Sequence, residues 1–446
     1  MFWIATAIFV AAYVVIVSEK INKTKVALFG AALTLATKVL TQHDAFHDVD
    51  LGVDWNVIFL LISMMIMVNI MTKTGVFQYV AVKSAKIGRG EPFAIMAIFA
   101  VVTAIASAFL DNVTTVLLLA PVTLLVAKEL EIDPVPYLIT EALASNIGGT
   151  ATLIGDPPNI MIASKAGLDF MDFIIHLTPA IIVVMAAWML VWKVIFGKRL
   201  TVGAAQKARI LAMDERVLIR DPALLKKSGA VLGLTILGFT LHGFLGFEPA
   251  TIALLGAATL LLISGEDPQK IFDGSGMAHP SSFSSAILII IGGTVKAGLI
   301  EVLSQKVIAL TNPTKDSMFM LSMVMVWFSG IASAIVDNIP FVATMNPLLA
   351  ELAEKVLGPA TGLTGPALYT HPTMLPVWWS LALGACLGGN GTAIGASANV
   401  IVVGLSEKAG HKITFGRFFK YGAPVTLGTI AISMGYIYLR YYVLGW

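Results

Sequence analysis

Charge is what this chain has least of. Asp, Glu, Lys and Arg make up 13% of its 446 residues, against about a quarter in soluble domains. Hydrophobic residues make up 57% and the mean hydropathy is +0.86, so the chain reads as a polytopic membrane protein whose first partner is the lipid bilayer. A net charge of only +2 leaves no electrostatic basis for nucleic-acid binding. Cysteine is nearly absent: Cys386 stands alone, which excludes an internal disulfide framework and any multi-cysteine metal site. His43, His47, His176, His242, His279, His371 and His411 fall mostly in loops or at span ends, with no pair at metal-ligand spacing. No cofactor is expected. The opening MFWIATAIFVAAYVVIV lacks basic residues ahead of its apolar run and a small-residue cleavage site, so it predicts a first membrane helix and not a removed leader.

Apolar runs long enough to span a bilayer, about 20 residues, lie near 2–17, 24–41, 55–72, 137–164 and 172–196. A second set lies near 228–245, 248–264, 282–300, 376–404 and 418–441. Two longer tracts, 92–130 and 317–356, are each broken by an Asp-Asn pair. The basic stretch 197–227, with Pro222, separates the sets and is assigned to the cytoplasm, where Lys and Arg accumulate. With both broken tracts as re-entrant hairpins, Lys20, Lys23, Lys25, Lys73, Lys83, Lys86, Arg89, Lys408, Lys412, Arg417 and Lys420 join it there. The acidic loop at 43–50 falls outside. MDERVLIRDP within the linker has the pattern of a short amphipathic surface helix. The expected fold is all-α: a first repeat over 1–196, a cytoplasmic linker over 197–227 and a second, inverted repeat over 228–446. Each repeat has about five spans, one re-entrant hairpin and one interrupted helix, as in many secondary transporters.

Two pairs of matched segments carry the repeat. IASAFLDNVTTVLLLAP, 105–121, is echoed at an offset of 226 by IASAIVDNIPFVATMNP, 331–347. GGTATLIGDPPN, 148–159, is echoed at an offset of 240 by GGNGTAIGASAN, 388–399. KTGVF at Lys73 matches KAGLI at Lys296, and KAG at 165–167 matches KAG at 408–410. Clustered glycine weakens a helix by about 1 kcal/mol per residue, and Pro157 and Pro158 remove two backbone donors. Irregular backbone at membrane depth is tolerated where it is buried in protein or lines a wet cavity. Both segments are therefore expected to be interrupted helices facing a binding site. The competing explanation is close packing of small residues.

A charged Asp at the bilayer centre costs roughly 2.5–3.5 kcal/mol on insertion scales, so Asp111 and Asp337 need a reason. Each hairpin tip would bring an Asp, an Asn and helix ends to the midplane. Carboxylate and amide oxygens suit Na⁺ or a proton, and helix N-termini suit an anion. The plainer role is to cap the helix that follows, and capping and ion handling can coexist. The halves also differ: Asp156 is matched by Ala396, Glu141 by Leu381 and Asn146 by Cys386. The acidic extras make the first half the better candidate for a coupling ion, although Glu141 also fits a charge near the membrane surface. An intramembrane aspartyl protease would need a GxGD signature, and LIGD at 153–156 is the nearest approach.

DNVTTVLLLAPVTLL, ASNIGGTATLIGDPPNIMIASKAGLDF, SAIVDNIPFVATMNP and GACLGGNGTAIGASANVIV closely resemble the ion transporter superfamily. The nearest branch is that of the melanosomal P protein, with arsenite-efflux permeases and NhaD-type sodium/proton antiporters as relatives and the dicarboxylate permeases further off. The resemblance implies a homodimer in which a moving transport domain works against a scaffold by an elevator-like motion. It also implies substrate- or ion-binding roles for Asp111, Asn112, Thr114, Thr115, Asn146, Gly149, Thr150, Thr152, Asp156 and Asn159 in the first half. The second half contributes Asp337, Asn338, Pro340, Gly389, Asn390, Thr392, Ser397 and Asn399. Sodium would be held by Asp111, Asn112, Asp156, Asp337 and Asn338. The dicarboxylate branch has Ser-Asn-Thr tips, whereas an ionised Asp at each tip here would repel citrate or succinate. A three-thiol arsenite site is impossible with one cysteine. The expected function is a secondary-active, H⁺- or Na⁺-coupled permease for a small inorganic ion in the cell membrane, of the arsenite/anion or Na⁺/H⁺ exchange class. The alternatives are an anion channel on the same scaffold and a di- or tricarboxylate symporter.

Overall fold

The structure is a computed structural model. It describes residues 1–446 except 19, 49, 198–200, 276–277 and 315–316, and of 274–275 and 278–280 it describes the backbone alone. Among the described residues there are helices and no strands. Six helices are long and apolar enough to cross a membrane, and a bent pair, Ser281–Lys296 with Leu299–Thr311, qualifies as a seventh. The chain is an all-α, multi-pass membrane protein.

One helix order is met twice. Phe2–Ser18, Lys23–Ala36, Trp55–Thr72 and Val76–Ile87 are followed by Pro92–Phe109, Asn112–Leu130, Val135–Gly149, Pro157–Ala166 and Thr178–Phe196. Pro222–Leu245, Pro249–Ser264, Ala278–Lys296 and Leu299–Thr311 are followed by Phe319–Ile335, Asn338–Val356, Leu375–Gly388, Ser397–Lys408 and Phe415–Ile437. Partners are exchanged between the two sets. Lys23–Ala36 packs on Ala278–Lys296, as Pro249–Ser264 packs on Trp55–Thr72. Asn112–Leu130 packs on Ser397–Lys408, as Asn338–Val356 packs on Pro157–Ala166. Val135–Gly149 and its match Leu375–Gly388 touch each other, so they lie where the two sets meet.

Val76–Ile87 and Leu299–Thr311 were not among the expected spans, and the expected span 282–300 ends early, at Lys296. The cause lies in the matched KTG and KAG. Gly75 and Gly298 both take the left-handed conformation, with φ of +80° and +83°, which glycine adopts without strain. Each stops one helix and starts the next, and the second corner turns the chain by 73°.

Of the linker, 198–200 lie outside the described residues. The rest docks on the first set: Ala204–Ala212 packs against Asn112–Leu130 and Val76–Ile87. Lys86 pairs with Glu215 at 2.6 Å and Arg209 with Glu131 at 2.7 Å. The short surface helix therefore lies just upstream of MDERVLIRDP. Within that stretch the Asp214 carboxylate accepts from the Arg216 amide at 3.0 Å, a local bond that competes with helix, and only the 3₁₀ turn Arg216–Leu218 forms.

Candidate functional site

The Asp-Asn pairs end up at two chain reversals. Pro92–Phe109 and Asn112–Leu130 form the first hairpin, and Phe319–Ile335 and Asn338–Val356 the second. Asp111 is the N-cap of its second arm, accepting from the Thr114 amide at 2.8 Å. Asp337 is the N-cap of the other, accepting from the Ile339 amide at 3.2 Å. Capping is thus one role of both residues. The arms have 17 to 19 residues, about 26–28 Å at 1.5 Å per residue.

The interrupted helices break where expected, between Gly149 and Pro157 and between Gly388 and Ser397. Their glycines serve close approach. A Cβ on Gly148 would collide with the Ala104 carbonyl, and one on Gly388 with the Gly330 carbonyl, so each broken helix lies hard against the first arm of its own hairpin. Small-residue packing and helix interruption are both present. Ser107 ties the first arm to the Ser145 carbonyl at 2.7 Å, and Ser333 ties the other to the Ala385 carbonyl at 2.6 Å.

Several candidate residues use their hydrogen bonds to hold these breaks. Asn159 donates to the carbonyls of Thr152, Thr150 and Gly149 at 2.9, 3.2 and 3.4 Å. Asn399 donates to those of Gly389 and Thr392, both at 2.8 Å. Thr152 donates to the Ala108 carbonyl, Thr392 to that of Ala334 at 2.6 Å and Thr150 to that of Asn146 at 2.7 Å. Leaving such buried groups unpaired costs about 1–3 kcal/mol each, so these side chains sustain the non-helical backbone. Gly149 and Gly389 lie against Gly155 and Gly395 across the breaks.

A buried amide chain links the elements. Asn112 donates to the Asn146 side-chain oxygen at 3.0 Å, and Asn146 donates to Asn390 at 2.9 Å and Asn399 at 3.0 Å. Asn338 reaches across to Asp156, 3.3 Å from each carboxylate oxygen. Asp156, fully buried, lies within electrostatic reach of both Asp337 and Asp111. Asp111 is half-buried and bonded to the Thr114 hydroxyl. The Asn112 Oδ1 and Thr115 Oγ1 atoms, at the start of the helix that Asp111 caps, are buried without a partner.

Lys23 belongs, by its sequence context, to a cytoplasmic loop. It instead forms an ion pair with Asp337 and donates to the Ser397 hydroxyl at 2.7 Å. Tyr13 carries no signal in the sequence either: its hydroxyl donates to the Pro340 carbonyl at 2.5 Å and lies 2.6 Å from the Thr344 hydroxyl. Glu141, whose sequence also fits a charge near the membrane surface, is 1% exposed and bonded to Thr123 inside the protein. Its second oxygen has no partner. Among the described residues no three His, Cys, Asp or Glu gather as they would around a metal ion.

Apolar helices around a buried polar centre built from two helix caps and two helix breaks define an integral membrane protein of the transporter class. The chain belongs to the CitMHS citrate transporter family, whose family model matches residues 13–384. It is 46% identical over 441 residues to an uncharacterized transporter of Mycobacterium tuberculosis, covering 99% of both chains. It is 41% identical over 441 residues to the 46 kDa membrane protein of Mycobacterium leprae, again over 99% of each. The human P protein is 32% identical over 518 residues, spanning 99% of this chain and 60% of that protein. The chain is a membrane transporter and not an enzyme, which removes the protease alternative.

Proposed function

We propose that the chain is a secondary-active permease that couples movement of a small inorganic ion to H⁺ or Na⁺, with the coupling cation taken at the first hairpin tip. One observation carries the reading. The fully buried Asp156 carboxylate is bonded to Asn338 of the second tip and lies within electrostatic reach of Asp111 and Asp337, and among the described residues one ammonium, that of Lys23, stands against this set, at Asp337. Carboxylates without counter-charge are expensive at membrane depth, and a small cation or protons would offset them. Asp111, Asn112 Oδ1 and Thr115 Oγ1 offer oxygens for it at the first tip, with Asp156 in reach. Repeated helix order with exchanged partners supports an inverted repeat, and on this reading the protein works as a homodimer in the cell membrane by an elevator-like motion. The contacts of the linker with Lys86, Glu91 and Glu131 support placing it on the same, cytoplasmic side as the loops at 73–91 and 131–134.

A second reading, symport of citrate or another carboxylate, has support of its own. Repulsion by two tip aspartates was the ground for setting carboxylates aside, and Lys23 cancels one of those charges. The family's description points the same way.

The test is purified protein in liposomes with an internal pH dye, given sodium, chloride, arsenite, succinate and citrate in turn. Asp111→Asn/Asp337→Asn serves as the control. A pH change evoked by sodium, chloride or arsenite and lost in the control supports ion transport coupled to protons, and one evoked only by citrate or succinate supports the second reading. Silence to all five, followed by isotope flux that neither saturates nor runs uphill, would overturn coupled transport in favour of a channel.

A further inference from the structure

Asp111 and Asp337 occupy matched caps, and only one of them has a fixed counter-charge. The Lys23 ammonium binds Asp337 Oδ2 and, at 2.7 Å, the Ser397 hydroxyl. Ser397 in turn donates to the same carboxylate oxygen at 3.0 Å. The ammonium also stands 5.0 Å from the centre of the Phe283 ring. A carboxylate oxygen, a hydroxyl oxygen and an aromatic face are groups that stabilise a partly dehydrated monovalent cation. Among the described residues nothing of the kind stands at the first tip. Lys23 opens its helix as Pro249 opens the matched one, and the residue matched to Ser397 is Pro157, which has no hydroxyl. Leu110, beside Asp111, packs instead on Val68, Met71 and Phe77. Asp111 has no ion pair among the described residues, and two buried oxygens at the start of the helix that it caps are unpartnered.

We infer that Lys23 is a tethered cation: its ammonium fills the ion position of the second tip, so that a single exchangeable monovalent cation, taken at Asp111, serves the protein. The inference deepens the proposed coupling site and rests on it for the role of Asp111. For the occupancy of the second tip it stands on the contacts of Lys23 alone. Two-fold repetition would otherwise give two equivalent cation positions. Lys23 fixes the count at one and makes the second tip independent of the external salt.

Lys23→Ala would empty that position while leaving Asp337 and Ser397 in place. The measurement is the thermal unfolding of the full-length protein in detergent, in sodium, lithium or potassium chloride against choline chloride at equal ionic strength. In choline, Lys23→Ala is expected to unfold several degrees below the wild type. Sodium or lithium should recover at least half of that loss by taking the place of the ammonium. Lys23→Ala/Asp111→Asn should retain this recovery, and Lys23→Ala/Asp337→Asn should lack it. Equal destabilisation in all four salts overturns the tethered cation. So does no destabilisation, or a failure of Lys23→Ala to fold in any salt, because a small cation should have substituted. The wild type and Asp111→Asn alone report on the first tip. If both ignore sodium while Lys23→Ala is rescued by it, sodium coupling at Asp111 fails and the tethered cation stands. If the wild type responds to sodium and Lys23→Ala is not rescued, the tethered cation fails and sodium coupling at Asp111 stands.

Discussion

The two hairpin tips share a sequence and not an environment. Both begin with a capping Asp followed by Asn, and both sit against a broken helix held by an Asn amide. At the second tip Asp337 is 8% exposed and held by Lys23 and Ser397, and Tyr13 grips the turn that follows. At the first, Asp111 faces no cation among the described residues, and Asn112 Oδ1 and Thr115 Oγ1 on the helix that it caps have no partner. Identical caps therefore do not make identical sites. The element that comes from outside the hairpin decides, and here it comes from the first two helices of the chain.

The largest expected effect is on Asp111. Asp111→Asn should reduce cation-coupled flux at least about 100-fold, equivalent to some 2.7 kcal/mol of barrier, and the charge-neutral pair Lys23→Ala/Asp337→Asn should cost less. Equal losses in the liposome assay would break the contrast between the tips. Next come the glycines, where the halves should behave alike. Gly148→Val and Gly388→Val each drive a side chain into a backbone carbonyl, and overpacking typically costs about 1–3 kcal/mol, occasionally more. Both should lower the yield of folded protein in size-exclusion chromatography, and tolerance of either one would show that its half is the looser. Asn146→Cys installs the residue of the other half and removes bonds to Asn112, Asn390 and Asn399. A loss of about 1–3 kcal/mol, the penalty of one unsatisfied buried group, is expected in denaturant titration.

Smallest is the surface control. Lys296, at the end of its helix, pairs with Asp44, which lies outside the spans, and its ammonium, with the Thr41 amide, holds that carboxyl down at about 2. Because the folded value is depressed, any stabilisation is present above the ordinary carboxylate range and is lost as pH falls through about 2. Lys296→Ala should return Asp44 towards its ordinary value in an NMR titration and leave thermal unfolding at neutral pH nearly unchanged. A drop as large as that of Lys23→Ala would mean that any lysine–aspartate pair matters equally here.

Much of this centre was legible in the sequence because its signals are local. An Asp-Asn pair inside an apolar tract marks a break with a cap, and a Gly- and Pro-rich run in a span marks an interruption. Both recur at fixed offsets. Lys23 was not legible, since a lysine after an apolar run and near two others reads as a loop charge, and its partner is 314 positions away. Tyr13 is hidden in the same way, 327 positions from Pro340. Glu141 gave a mixed signal: one carboxylate in an apolar helix, with no neighbour in sequence to reveal that Thr123 would receive it. The match between KTG and KAG was visible, but its meaning depended on two positive φ angles that only the folded backbone supplies.

The place where Val135–Gly149 meets Leu375–Gly388 has a consequence for how such a protein can be assembled. Two identical half-length chains would have to put the same residue at both matched positions. Here the matched residues are Asn146 and Cys386. The amide reaches Asn390 and Asn399, while the smaller thiol lies 3.5 Å from the Asn159 side-chain oxygen. A second asparagine would have to fit against Asn159, the match of Asn399, where the smaller thiol now lies, and a second cysteine would leave Asn390 and Asn399 without the amide that reaches them. A single covalent chain escapes that restriction, because each half is encoded separately and free to diverge from its twin.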